Sequence, residues 1–229
     1  MTRPKEIWSA LTLIPIGLTG LYYLLPVALQ QIVLIQFLPQ SVGYLCLGLW
    51  AGRNSEVRRR LGLDPQGMRP GFRWGAGVGL TLGIVNCLII LWIAPTMGDG
   101  ISFLVETPHA KVSTWIMVPW GIVGIAFCIE LYFRGFLLGR LEVLFKQGYR
   151  GSGFRSEKAG SLLAIVVSAL VFSFDPFMVT TFRHLHWIAV WDGLIWGVMW
   201  IGMRNLYGVI VAHAVEVIIL YLGVKNALT

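Results

Sequence analysis

Long apolar runs with few charged side chains dominate this sequence. The chain has seven such runs, each about 20 residues long: 7–25, 32–50, 72–94, 115–138, 160–177, 188–203 and 206–224. Polar or basic segments separate them. A transmembrane helix needs about 20 predominantly apolar residues. Charged residues make up 13% of the chain, compared with about 25% in soluble domains. The chain is therefore predicted to cross a lipid bilayer about seven times.

The same runs predict the fold class. About seven spans with short connections use nearly all of the 229 residues, which leaves no room for a separate soluble domain. We expect an all-α, polytopic membrane helical bundle that forms a single integral-membrane domain over residues 1–229. The first run has a basic start but no small-residue cleavage site after it, so we expect a retained first helix.

The distribution of basic residues predicts the orientation. The formal net charge is +7. With a cytoplasmic N-terminus, every Lys and Arg except Lys111, Arg183 and Lys225 falls on the cytoplasmic side, as the positive-inside rule requires. Seven spans then place the C-terminus on the opposite side. Topology and attraction to anionic membrane lipids account for the excess charge, so lipids are expected partners and nucleic acid is not.

Two ionisable residues stand four positions apart in the fourth run. An ionisable side chain inside a bilayer costs at least ~2.5–3.5 kcal/mol on insertion scales, so each needs a partner or a function. Glu130 and Arg134 have the spacing and order of a helical ion pair. The pattern predicts that they form a structural pair.

Other polar residues interrupt the last three runs. Asp175 ends the fifth run, Asp192 lies near the start of the sixth, and His213 and Glu216 share one face of the seventh. Turned inward, these side chains could converge on one polar cavity. Asp192 is equally compatible with an N-cap at the membrane interface.

The histidines and cysteines do not indicate a metal site. His184 and His186 form an H-x-H in one loop, and His109 lies in another. Zinc needs three or four converging ligands. The three cysteines lie in different runs and are typical of small buried residues rather than disulfides. We therefore predict no metal site.

Two tryptophans lie four residues apart within the sixth run. Trp196 and Trp200 form one aromatic patch on one helix face. The patch is compatible with internal packing or lipid contact. Alternatively, it could be a docking face for a partner helix or a lipid-soluble cofactor.

Several segments resemble one family. Residues 129–137 (IELYFRGFL) resemble the E-E-x-x-x-R-G motif of the CPBP intramembrane proteases, which include the CAAX prenyl endopeptidase and the Abi proteins. Residues 60–63 (RLGL) resemble the entry into a family helix. Residues 168–172 (SALVF) resemble the opening of the second motif, F-x-x-x-H, and residues 206–214 (LYGVIVAHA) the approach to the third, H-x-x-x-N. The resemblance implies a CPBP/Abi-like core over about residues 60–220.

The resemblance also implies what the motif residues do. In active members the first Glu and the motif-two His activate a water, and the motif-three His and Asn bind the oxyanion. This chain carries Ile129, Pro176, His213 and Val217 at those positions. Only His213 retains the family's side chain.

These replacements lead to three hypotheses. We expect a pseudoenzyme that acts as an accessory, assembly or scaffold subunit of a membrane protein complex, with remnant motif residues Glu130, Arg134 and His213. Alternatively, it is a divergent CPBP intramembrane endopeptidase in which Asp175 and Glu216 replace the lost groups. A third hypothesis is that a prenyl lipid or pigment occupies the former substrate groove; no other cofactor is expected.

Overall fold

The chain folds almost entirely into helices. The computed structural model describes residues 6–98, 100–148 and 154–228, and the side chains of residues 108, 109 and 154–156 are left undescribed. Within the described residues there are α-, 3-10 and π-helical segments and no β-strand. The predicted all-α fold class is confirmed.

The longer α-helices are numbered here in chain order: α1 (Leu13–Tyr22), α2 (Leu38–Arg53), α3 (Met68–Leu88), α4 (Ile125–Glu130), α5 (Gly139–Gly148), α6 (Phe154–Ser173), α7 (Pro176–Phe182), α8 (Ile188–Met203) and α9 (Leu206–Leu228). Short α-helical segments are Val27–Gln30, Val33–Gln36, Val57–Arg60, Ala94–Thr96, Pro108–Lys111 and Thr114–Ile116. The 3-10 segments are Ser9–Thr12, Pro65–Gly67, Ser102–Glu106 and Arg183–Trp187. The π-helical segments are Ile89–Ile93, Met117–Gly124 and Leu131–Leu138.

Several helical segments have the length and composition of membrane spans. Among the described residues, 4 are long and apolar enough to cross a bilayer: Val57–Thr96, Thr114–Gly148, Pro176–Met203 and Leu206–Leu228. A shorter apolar helix covers Ser9–Tyr22. The chain is therefore an integral membrane protein, and seven remains the number predicted from sequence.

Several predicted span boundaries differ from the helix ends: the run predicted to end at 138 continues as helix to Gly148, and α6 begins at Phe154 rather than at 160. Two other differences lie next to a proline. The run 32–50 begins with a separate short helix and continues as α2 only from Leu38, with Pro39 in its first turn. The fifth run ends at Ser173 rather than 177, because Asp175 caps a new helix that starts at Pro176. Proline has no backbone N–H and fits the first turn of a helix but not its interior.

The structure consists of two compact units, each built from two stretches of chain. Unit 1 comprises Met1–Leu61 and Leu131–Gly202, and unit 2 comprises Gly62–Glu130 and Met203–Thr229. Unit 1 contains α1, α2, α5, α6, α7 and most of α8, and unit 2 contains α3, α4 and α9. The single domain predicted over residues 1–229 stays a prediction.

Unit 2 is built on the close approach of α3 to α9. Every fourth residue of one α3 face is glycine: Gly71, Gly75, Gly79 and Gly83. A Cβ at Gly79 would collide with the backbone of Ala212, and one at Gly83 would lie 3.2 Å from the Glu216 Cα. Small residues at this spacing let transmembrane helices pack backbone to backbone. The contact places the polar face of α9 directly against α3.

The start of α9 is fixed by a turn in the same unit. Gly62 adopts a φ of +78°, which suits glycine. Its carbonyl accepts a hydrogen bond from the Leu206 N–H at 2.9 Å. The Asn205 side-chain oxygen accepts from the Gly208 N–H at 3.3 Å. These bonds satisfy donors that the first turn of a helix leaves open, so the register of α9 against residues 62–67 is set.

Unit 1 is tied together at one end by a buried glutamate. The carboxylate of Glu6 pairs with Arg60 at 2.9 Å and with Arg140. It also accepts a hydrogen bond from the Trp50 indole at 3.2 Å. One side chain thus links the N-terminal segment to α2, to the Val57–Arg60 turn and to α5.

Candidate functional site

The central feature of unit 2 is a buried carboxylate–imidazole pair. Glu130 is the last residue of α4 and is fully buried. Its Oε1 lies 2.8 Å from Nδ1 of His213 on α9, whose side chain is only 12% exposed. The contact is a hydrogen bond in which the donor and acceptor depend on the imidazole tautomer; with the carboxylate ionised, the imidazole donates from Nδ1. The pair joins two helices and leaves Nε2 as the second functional atom of the ring.

A second buried pair lies one turn further along α9. Glu216 is 1% exposed, and its Oε1 accepts a hydrogen bond at 2.7 Å from the side-chain amide of Asn86 on α3. Asn86 is itself fully buried. The shared face predicted for His213 and Glu216 therefore faces polar partners from two different helices.

Asn86 is the site residue that the sequence prediction missed. It is an amide in an otherwise apolar part of the third run, three residues beyond the last glycine of the α3 stripe. A buried amide needs hydrogen-bond partners, and the glycine spacing indicates a helix packed at close range. Together these two signals could have identified Asn86 as a contact of α9.

The pairing in unit 2 has defined chemical possibilities. A carboxylate that accepts a hydrogen bond from Nδ1 fixes the tautomer of an imidazole, so that Nε2 can accept a proton. In Ser-His-Asp hydrolases, the aspartate orients the histidine base in this way. Ile129 and Val217 are half-buried in the same unit and offer no polar atom. The pair can orient a base, while these two neighbours cannot activate water or stabilise an oxyanion.

Arg134 lies in unit 1, where aromatic rings surround it. It belongs to the π-helical segment Leu131–Leu138 and is fully buried. Its guanidinium carbon lies 4.5 Å from the centre of the Phe172 ring and 5.1 Å from that of Trp196. Cation–π contacts of this kind strengthen when they are desolvated. They attach the π-helical segment to α6 and α8, and the predicted ion pair with Glu130 stays a prediction.

Of the alternatives for Trp196 and Trp200, the structure favours internal packing, and a docking role stays a prediction. Each side chain is 2% exposed. Trp196 packs against Phe172 with ring centres 5.9 Å apart, and a Cβ at Gly139 would lie 3.0 Å from the ring of Trp200. The helix face that carries them is turned inward. Arg134 lies over the Trp196 ring, and Gly139 leaves space for the Trp200 ring.

The two aspartates of unit 1 have separate positions. Asp175 is 2% exposed and caps α7: its Oδ1 accepts from the Phe177 N–H at 3.1 Å and from the Gln40 amide at 2.9 Å. Asp192 is also buried. The alternative prediction that Asp192 is an N-cap is wrong. The helix α8 begins at Ile188, so Asp192 lies in its second turn.

The histidine pair of unit 1 lies in the 3-10 segment Arg183–Trp187. Nδ1 of His186 is 2.6 Å from the Arg183 carbonyl. The side chain of His109 lies outside the described residues. Among those that are described, no group of three or more His, Cys, Asp or Glu residues has the arrangement of a metal site.

A comparison with models of known protein families gives a match to part of the chain. The family model for type II CAAX prenyl endopeptidase, Rce1-like, matches residues 111–219. The matched segment contains Glu130, Arg134, Asp175, His213 and Glu216, and it confirms the predicted resemblance. No curated protein and no solved structure matches the chain.

Proposed function

We propose, from the premise that residues 111–219 belong to the type II CAAX prenyl endopeptidase Rce1-like family, that this chain is a catalytically degenerate member. It acts by binding other membrane proteins, as an accessory, assembly or scaffold subunit. Its CPBP-type fold provides a helical membrane body, and its function is to bind other proteins through its surfaces rather than to cleave a substrate.

One observation carries this proposal: each carboxylate that could replace a lost catalytic group already holds two parts of the fold together. Glu130 joins α4 to α9, and Glu216 joins α9 to α3. Asp175 caps α7 and binds Gln40 on α2. A buried charge that stabilises a helix contact is costly to disrupt. These groups therefore support a structural role better than a rearranged active site.

The residues at the remaining motif positions support the same conclusion. Ile129 and Val217 carry no group that exchanges a proton or donates a hydrogen bond. Pro176 is buried at the start of α7 and lacks even a backbone donor. General-acid/base catalysis contributes about 10²–10⁴-fold, and an oxyanion-hole donor about 10²–10³-fold. Without them, peptide hydrolysis is expected to be negligible.

The proposed orientation has a cytoplasmic N-terminus and the C-terminus on the opposite side. Within unit 1, Glu6 binds Arg60 and Arg140, so the N-terminal segment lies beside two of the basic segments that the positive-inside rule assigns to the cytoplasm. Reporter fusions at each terminus test this orientation. Activity of a cytoplasmic reporter at the C-terminus would contradict it.

The binding role is tested by isolating the protein with its partners. The tagged chain, extracted from its own membrane in a mild detergent, is expected to co-purify with a membrane protein at constant stoichiometry. The same preparation is expected to leave a prenylated CAAX-type peptide uncut. Migration solely as a free monomer would contradict the proposal.

A second function, a divergent endopeptidase, is favoured by the 2.8 Å contact between Glu130 and His213. On this alternative, His213 acts as the base and Glu130 orients it. Cleavage of the prenylated peptide should then disappear in Glu130→Gln and in His213→Ala. It should persist in Thr81→Ala, an exposed position whose hydroxyl donates to the Gly77 carbonyl of its own helix.

A further inference from the structure

A shallow, half-open groove lies over residues 70–77 on the face of α3 that points away from the glycine stripe. It has a volume of about 430 Å³ and is lined by Pro70, Arg73, Trp74 and Gly77. Arg73 and Trp74 lie three and four positions after Pro70, and Gly77 lies four and three positions after them, so all four residues share one helix face. Trp74 is 65% exposed. A Cβ at Gly77 would meet no atom within 4 Å, so the groove is open at this position.

One end of the groove is cationic. Arg69 precedes Arg73 by four residues, and both are exposed. At this spacing the two side chains are neighbours on the helix surface. No acidic residue occurs between Asp64 and Asp99 in the sequence, so α3 carries no carboxylate to neutralise them. Guanidinium groups bind phosphate oxygens through paired hydrogen bonds.

The other end of the same face is apolar. Leu80, Ile84 and Leu88 continue it, with exposures of 52%, 48% and 48%. The hydroxyl of Thr81 donates to the Gly77 carbonyl at 2.9 Å and so presents no free donor. With a rise of 1.5 Å per residue, the face from Arg73 to Leu88 is about 22 Å long. That length exceeds half of a hydrocarbon core about 30 Å thick.

From this arrangement we infer that the α3 groove is a binding site for one anionic phospholipid. The phosphate binds between Arg69 and Arg73, and the Trp74 indole lies at headgroup level, where tryptophan is enriched. One acyl chain lies over Gly77 and follows the apolar face. Charge complementarity selects an anionic lipid over a zwitterionic one. The inference is independent of whether the chain is a scaffold or an endopeptidase.

The test is lipid retention by the full-length protein in detergent, measured by native mass spectrometry. Phosphatidylglycerol and phosphatidylcholine with identical acyl chains are added in equal amounts. The wild type should retain phosphatidylglycerol preferentially. The double substitution Arg69→Gln and Arg73→Gln should weaken that retention by about fivefold per arginine, the usual effect of one basic residue near an anionic lipid.

A charge-matched control separates a site from general attraction. Arg53→Gln with Arg58→Gln removes the same charge from exposed positions of unit 1, and Arg53 even lies over an indole, 4.9 Å from the Trp8 ring. This variant should retain phosphatidylglycerol as the wild type does. An equal loss in both double variants would overturn the inference, because diffuse positive charge would then explain binding.

A steric variant tests the groove without changing the charge. Gly77→Leu fills it, and Gly48→Leu adds the same side chain at an exposed glycine of unit 1 that also has no atom within 4 Å of its Cβ position. Neither should lower thermal stability. Loss of phosphatidylglycerol in Gly77→Leu alone supports the site. Unchanged retention, or loss of a co-purifying protein instead of the lipid, would overturn it.

Discussion

Arg134 is the buried cation whose removal tests the architecture of unit 1 most directly. Its guanidinium is fully buried and lies 4.5 Å from the Phe172 ring centre and 5.1 Å from that of Trp196. A desolvated cation–π contact contributes about 2 kcal/mol or more. Arg134→Ala also removes a side-chain stem that packs in the interior. We expect the free energy of unfolding to fall by about 2–4 kcal/mol.

The measurement is thermal unfolding of the purified protein in one detergent, followed by tryptophan fluorescence. A loss of 1 kcal/mol lowers Tm by about 2–4 °C in a protein of this size. Arg134→Ala should therefore lower Tm by roughly 5–15 °C. The Tm of Arg134→Lys should lie between those of the wild type and Arg134→Ala, because lysine keeps the charge but lacks the planar group that stacks on rings.

Arg53→Ala is the matched control for this experiment. Arg53 also lies over an indole, 4.9 Å from the Trp8 ring centre, but on the protein surface. Exposed substitutions usually change stability by no more than about 0.5 kcal/mol. If Arg53→Ala and Arg134→Ala lower Tm equally, or if Arg134→Ala leaves Tm within about 1 °C, the rings do not hold Arg134 as the structure indicates.

Three further predictions concern the helix contacts around the polar pairs. Gly79→Val should prevent the close approach of α3 to α9 and destabilise the protein by about 1–3 kcal/mol or more. Gly77→Val, on the open face of the same helix, should leave Tm nearly unchanged, and detergent melting curves compare the two variants. Asn86→Leu should cost about 1–3 kcal/mol by removing the donor to Glu216, and adding Glu216→Leu should recover part of that loss in a double-mutant cycle of unfolding free energies. Asp175→Ala should cost about 1 kcal/mol through the lost cap of α7 and more through the buried Gln40 amide, while Asp175→Asn should cost less; equal melting temperatures for both variants would contradict the capping role.

The apolar runs predicted the last two helices well. The run 188–203 coincides with α8, and the run 206–224 agrees with α9 except for four residues at its end. Errors arose at Pro39 and at Pro176, where the chain begins a new helix inside an apolar run. The π-helical segments could not be predicted, because hydropathy alone does not distinguish i→i+4 from i→i+5 hydrogen bonding.

The sequence pointed to some residues of the buried polar pairs, but not to Asn86 and not to how the residues pair. The motif pattern selected Glu130 and His213, which are 83 residues apart in sequence and form a hydrogen bond. Local spacing instead favoured Glu130 with Arg134, because sequence shows neighbours on one helix and not the partner helix. The inward orientation of Trp196 was equally hidden. In a membrane protein, lipid-facing and interior positions are both apolar, so composition does not separate them.

The proposed loss of catalytic residues shows which kinds of polar residue a membrane-spanning fold can lose without losing stability. Each buried carboxylate of the site has a side-chain donor from another helix, as Glu130 has from His213 and Glu216 from Asn86. Removing one partner leaves the other polar group unsatisfied in a low-dielectric interior, which is costly. Apolar residues at 129 and 217 leave no buried polar group unsatisfied. A catalytic side chain that bonds only to substrate or water has no protein partner that would lose a hydrogen bond when the side chain is replaced. Loss of chemistry at those positions is therefore expected to leave the fold stable, whereas loss of Glu130 or Asn86 alone is expected to lower its stability.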